Sequence, residues 1–267
     1  MATTKRELLD AYNNISARLV RGTGNRLSAG FSTLGSWRDE DFRRFLPFAL
    51  GVTSGAKMQA ARLQVAFYQQ MAAMSGEPFV APSLNPVDYS TAALRNGALD
   101  EDVYRRPFVD VYRALDEGKT MTTAIAAGAL RISSIASTDV QLARRNAGFQ
   151  SRSRNSRIVG YARTLTGAEN CALCYVASTQ RYHRGDLLPI HARCDCGEMP
   201  IFGNQDPGQV INEVRLEATH EAVAERFGVS DRAARAIDYR DIMVQEHGEL
   251  GPTLTVASHR FTGPNQI

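Results

Sequence analysis

The 267-residue chain has no cysteine outside one window. All four lie between Cys171 and Cys196, as Cys171-x2-Cys174 and Cys194-x-Cys196 with His183 and His191 between them. No apolar run approaches the roughly 18 residues that a membrane-spanning helix needs, so no membrane partner is expected. The N-terminus, MATTKRELLDAYNNIS, has no apolar stretch of the kind a secretory signal carries. That points to synthesis and first use in a cytoplasm, where clustered thiols indicate a metal before they indicate disulfides. No acidic residue occurs from Val140 to Ala168, and no internal repeat is visible. Net charge is only +3, too mild to imply nucleic acid by itself. Hydrophobic residues at 43% allow a sizeable core.

Apolar spacing predicts a mostly helical first half. Leu8, Leu9, Tyr12, Ile15 and Leu19 follow a 3.6-residue period. Ser36 with Asp39 reads as a capped helix start ahead of Phe42, Phe45 and Leu46, with Pro47 kinking or ending that helix. Ala60–Met74 reads as a further helix, and the three prolines between Gly76 and Pro86 mark a loop. Helices are expected near Glu101–Asp116 and Thr120–Arg145, separated at Gly118. "FQSRSRNSR" reads as a linker or exposed helix end, and Ile158–Leu165 as a short strand or helix. Ile211–His247 reads as helical and the tail as extended or looped.

The cysteine window carries the sharpest chemistry. A two-residue spacer lets two side chains converge on one Zn2+, and a second pair from another segment completes a tetrahedron. Cys171, Cys174 and Cys194 are the expected ligands, with Cys196 in the fourth place or His191 as the alternative. A closed four-ligand site is structural, because a catalytic zinc keeps one position for water. Two disulfides, buried inert thiols, or a catalytic cysteine served by His183 or His191 are the competing readings. A thioredoxin-type redox pair is disfavoured, because no βαβ pattern surrounds it.

Six arginines fall in or beside the acid-free stretch: Arg144, Arg145, Arg152, Arg154, Arg157 and Arg163. They suit sequence-independent contact with nucleic-acid phosphates, or docking on an acidic protein face; a solvated linker is the plain alternative. His220–Arg240 has helix-turn-helix spacing, with Arg232, Arg235 and Arg240 on the second helix, but Asp231, Asp238 and Asp241 dilute its charge. Two packed helices joined by a glycine cap explain it as well. Protease motifs are missing. His220-Glu221 is followed by Ala222-Val223-Ala224, so the zinc-protease pattern is incomplete. Ser178 and Ser258-His259 sit in no nucleophile motif, and no catalytic residue is assigned.

The order Cys171, Cys174, Pro189, His191, Cys194, Cys196 and then Pro200-Ile201-Phe202 resembles the Mu F-like minor head proteins of tailed bacteriophages. The tail His247–Gly263 resembles versions from phages of actinobacteria, which are often labelled capsid maturation proteases. The likeness covers about residues 155–263. Here "TLTGAEN" stands before the first cysteine, where the family has an Asp- or Arg-rich strand.

The resemblance implies an α+β, predominantly α-helical protein. A helical region over 1–150, used for portal and capsid association, would precede a zinc-stapled Mu F-like domain and tail over 151–267. It implies a minor head protein inside the virion head, found in the host cytoplasm during assembly. Its partners would be portal, major capsid and scaffold proteins, with non-specific contact to packaged DNA. A prohead protease is the alternative function, and a helix-turn-helix DNA-binding protein the third.

Overall fold

The computed structural model describes residues 4–165, 172–190, 196–227 and 244–254. Five helices form the first part: α1 (Lys5–Ser32), α2 (Asp39–Met74), the short α3 (Thr91–Leu94), α4 (Asp100–Asp116) and α5 (Met121–Arg154). Their ends follow from local chemistry. Thr4 and Glu7 close a capping box on α1, with Glu7 N donating to Thr4 Oγ1 at 3.2 Å and Thr4 N to Glu7 Oε2 at 2.7 Å. Gly118 stops α4 at φ +76°, and the Thr120 hydroxyl accepts from Thr123 N to start α5. The predominantly helical α+β expectation holds.

Two helices depart from their sequence reading. The buried residues of α1 include Tyr12, Asn13, Ser16, Thr23 and Gly24, while Ile15 is 40% exposed. Of the expected stripe Tyr12 is buried and Leu8, Leu9 and Leu19 are half-buried, so the face departs from it at Ile15, whose place small and polar residues take. On α2 the helix runs straight through Pro47 to Met74. The missing proline N–H costs one internal bond, which packing of Phe45, Ala49 and the residues beyond offsets.

The cap at the start of α2 reverses the expected roles. Ser36 donates rather than accepts: its N and Oγ reach Asp41 Oδ2 at 2.7 and 2.8 Å, and Trp37 N reaches the same oxygen at 2.9 Å. Trp37 sits at φ 52°, held by burial and by its indole N–H on Phe31 O. The Ser36 donors hold the Asp41 carboxyl at about 2, below its ordinary 3.8. A lowered folded-state pKa contributes stability at pH above the unfolded value, and loses it as pH falls from about 3.8 to about 2. Asp41→Asn is therefore expected to flatten the loss of stability over that window, read as the urea midpoint against pH. An unchanged pH profile would contradict this.

Helix α5 is the centre of the fold and packs on α1, α2 and α4. Every residue from Ser134 to Arg145 is buried, so this middle stretch of the helix is enclosed on all sides. Its polar side chains act as internal struts. Asp139 accepts from Arg95 Nε at 2.7 Å and from Tyr104 Oη at 2.5 Å. Arg144 Nε donates to Tyr12 Oη at 3.1 Å. Arg145 Nη2 donates to Leu250 O at 2.6 Å, and burial pulls its guanidinium down to about 10, still charged at neutral pH.

A three-stranded antiparallel sheet follows, in the order β2 (Arg181–His183), β1 (Ile158–Thr164), β3 (Gly197–Phe202). The apolar strand Pro200-Ile201-Phe202 lies in β3, paired against Ile158–Tyr161. Two helices flank it, α6 (Ala172–Ala177) and α7 (Glu213–Phe227). Val244–His247, read from sequence as a helix end, is instead strand β4, and it forms a hairpin with β5 (Gly251–Leu254). His247 Nδ1 accepts from Glu249 N and Leu250 N, which fixes the hairpin turn. Glu249 then docks that turn on the helices, accepting from Arg95 and, at 2.6 Å, from Arg106.

"FQSRSRNSR", read as a linker or exposed helix end, carries the end of α5 at Arg154, with Ser153 and Arg154 exposed and Ser151 and Arg152 buried, so residue 150 falls inside a helix. Core clusters cross that point: Tyr12, Phe67, Tyr68 and Met71 pack with Ile158 and Phe202.

Candidate functional site

Of the five candidate metal ligands, Cys174 and Cys196 lie among the described residues; Cys171, His191 and Cys194 lie outside them. Helix α6 carries Cys174, and Cys196 immediately precedes β3. Both are buried, and both belong to one apolar cluster with Tyr161, Tyr182, Leu188 and Leu254. Cys174 and Cys196 thus share one buried cluster with residues of the sheet. Pro189 and Ile190, just before His191, are held close by. Arg163 Nη2 donates to Pro189 O, and Ile190 exchanges backbone bonds with the tail at Pro252 and Leu254. Arg163 Nη1 also lies 3.6 Å from Cys174 Sγ.

Two buried sulfurs from separate segments, with a guanidinium beside one of them, fit a dry thiolate metal site. An N–H beside a sulfur is the outer-shell contact that metal-bound cysteines use. No group of three or more His, Cys, Asp or Glu gathers among the described residues.

The arginines chosen for phosphate contact divide. Arg144, Arg145, Arg152 and Arg163 are 3%, 6%, 0% and 4% exposed, so their charges face inward. Arg152 is the deepest. It pairs with Glu198, donates to Arg184 O at 3.1 Å and Asp186 O at 2.9 Å, and lies 3.9 Å over the Tyr161 ring. Tyr68 donates to the same Glu198 oxygen at 2.9 Å. Burial, followed by the Glu198 charge, raises the phenols of Tyr68 and Tyr161 well above the ordinary range, so Tyr68 stays protonated as a donor. The partners of these four arginines come from elsewhere in the chain: the Glu198 carboxylate, the Tyr12 phenol, and backbone carbonyls at Arg184, Asp186, Pro189, Leu250 and Pro252. Arg154 and Arg157 remain exposed, Arg157 with Glu77 at 3.8 Å.

Ser178 Oγ donates to Tyr175 O and accepts from Arg215 Nη1 at 2.6 Å, a guanidinium rather than an imidazole. His183 is exposed on β2 and accepts from Gly185 N. His220 lies on α7, while Ser258 and His259 lie outside the described residues. Of the helix-turn-helix segment, only the part up to Phe227 is described, as the end of α7. A groove of about 510 Å³ lies between the start of α2 and the outer side of α4. Trp37, Phe42, Phe108 and Tyr112 line it with Arg38, Asp39 and Arg105, and it contains no serine, cysteine or histidine. Sequence reasoning missed the Glu198–Arg152–Tyr68 and Glu249–Arg95–Arg106 centres, because each joins residues far apart in the chain. No described helix is long and apolar enough to cross a membrane.

No curated protein and no solved structure matches this chain. A family model described as VG15 protein matches residues 3–222, taking in the helical bundle, the sheet and most of α7. That span is well over half the chain, and on it the protein belongs to the VG15 family of phage proteins.

Proposed function

We propose that this phage protein is a minor head protein of the Mu F-like kind, assembled beside the portal and lying against packaged DNA. The observation that carries the reading is how its charged side chains are spent. Arg95, Arg106, Arg145 and Arg152 bind helix to tail and helix to sheet, which suits a rigid assembly part. The membership of a phage family and the window's order of residues point the same way. The partners are portal, major capsid and scaffold proteins, met in the host cytoplasm and retained in the virion head.

One structural Zn2+ belongs to this reading. Cys171, Cys174 and Cys194 hold it, with Cys196 or His191 in the fourth place, and Arg163 faces the Cys174 sulfur. Bound there, the metal supplies a cross-link between the α6 turn and the strand entry at Cys196. The shared burial of Cys174 and Cys196 supports it.

The test pairs purification with proteolysis. Tagged protein is expected to co-purify with portal, and incubation with capsid and scaffold subunits is expected to give no cleavage. A specific scissile site, abolished by one Ser, His or Cys substitution, would replace the assembly reading with the prohead protease.

A further inference from the structure

The outer surface of the α1–α2 hairpin carries charge of one sign. From Ala11 to Arg38 and from Phe42 to Gly76 the sequence holds no acid. The exposed side of α1 presents Asn14, Arg18, Arg21, Asn25 and Arg26, and that of α2 presents Ser54, Gln59 and Arg62. The antiparallel register brings the two sets level. Tyr12 stacks on Phe67 at 4.2 Å near one end, and Arg26 lies 5.9 Å over Phe48 near the other. Arg18 and Arg21 on α1, and Arg62 on α2, fall between those two contacts. Among the described residues none of these three arginines has an ion pair, unlike the inward Arg152 of α5, which pairs with Glu198.

We infer that this face binds the phosphate backbone of double-stranded nucleic acid. Arg18 to Arg26 spans eight residues, about 12 Å of helix, so several phosphates lie within reach. The groups between the arginines are amides and a hydroxyl, the donors that serve phosphate and sugar oxygens. Large apolar anchors of the kind that carry protein interfaces are sparse here, Phe48 being 37% exposed and Ile15 40%. Exposed mid-helix glycines add to the case. Gly22, Gly51 and Gly55 have nothing within 4 Å of where a side chain would start, so internal packing gives no reason for them. A bare helix surface lets a rigid backbone come close. The inference rests on the head-interior reading for its setting only, and portal association stands whether or not duplex binds.

The experiment measures binding of the full chain to a 30-base-pair duplex by fluorescence anisotropy, at salt from about 50 to 200 mM. Arg18→Gln, Arg21→Gln and Arg62→Gln together are expected to reduce the salt slope by about 2.7, at about 0.9 per phosphate contact. Arg154→Gln with Arg157→Gln is expected to leave it unchanged. Gly55→Glu places a charge in open space and is expected to weaken binding on the order of tenfold at the lowest salt without lowering the melting temperature. Absence of duplex binding by the unmodified protein at the lowest salt would overturn the inference. So would a slope carried by Arg154 and Arg157. A triple variant that binds duplex normally but loses portal would assign the face to an acidic protein surface instead, and the inference would fall.

Discussion

Gly148→Ala is expected to destabilise the fold by about 3–5 kcal/mol, although alanine is ordinarily the better helix former by about 1 kcal/mol. Gly148 lies in the buried part of α5, and an added methyl there falls onto Glu198 Oε1, with Glu198 Cδ only 2.6 Å away. That oxygen is the one Arg152 and Tyr68 share. Glu198 would have to withdraw, leaving a fully buried guanidinium without its carboxylate, and an unpaired interior charge is the costly half of a broken buried pair. Gly51→Ala is the control of opposite sign. Its site is open, and the expected gain is about 0.5–1 kcal/mol. Urea unfolding of both variants checks the pair. A Gly148→Ala protein as stable as the unmodified one would mean that Glu198 does not approach α5 in solution.

The second large effect concerns the cysteines. Cys174→Ser is expected to lose the metal and open residues 155–254 to protease, while far-UV circular dichroism retains the signal of α1, α2, α4 and α5. Zinc supplies on the order of 10–16 kcal/mol in domains that fold only around it. The cost here should be smaller. Leu188, Ile190 and Cys196 pack with Tyr161, Leu250 and Leu254 from outside the window, so the segment shares a core it could not build alone. Cys196→Ser and His191→Ala should differ, and the substitution that releases zinc names the fourth ligand. Elemental analysis without zinc, together with two disulfides by mass under non-reducing conditions, would replace the metal staple with a covalent one.

These two sites differ in how far the sequence reveals them. The cysteine spacing is local and can be read directly. The limits of α4 and α5 are also local, since Gly118 and Thr120 carry stop and start chemistry within three residues. The arginine run misleads because it has no acid near it in sequence. The carboxylate of its buried part, Glu198, arrives on β3, and the other acceptors there are the Tyr12 phenol on α1 and carbonyls of the Arg184–Pro189 loop and the tail hairpin. A helix enclosed on all sides shows no amphipathic period, so nothing in the α5 sequence marks these arginines as interior. Strand β4 is hidden for a related reason: its pairing partner β5 and the Glu249 dock, not its own propensity, make it a strand.

If the protein is an assembly part retained in the head, virion composition decides the matter. Quantitative mass spectrometry of purified particles should find this chain at full length, in a low copy number comparable to portal. Particles that lack it, or hold it only as fragments while their capsid subunits are trimmed at one site, would contradict the account.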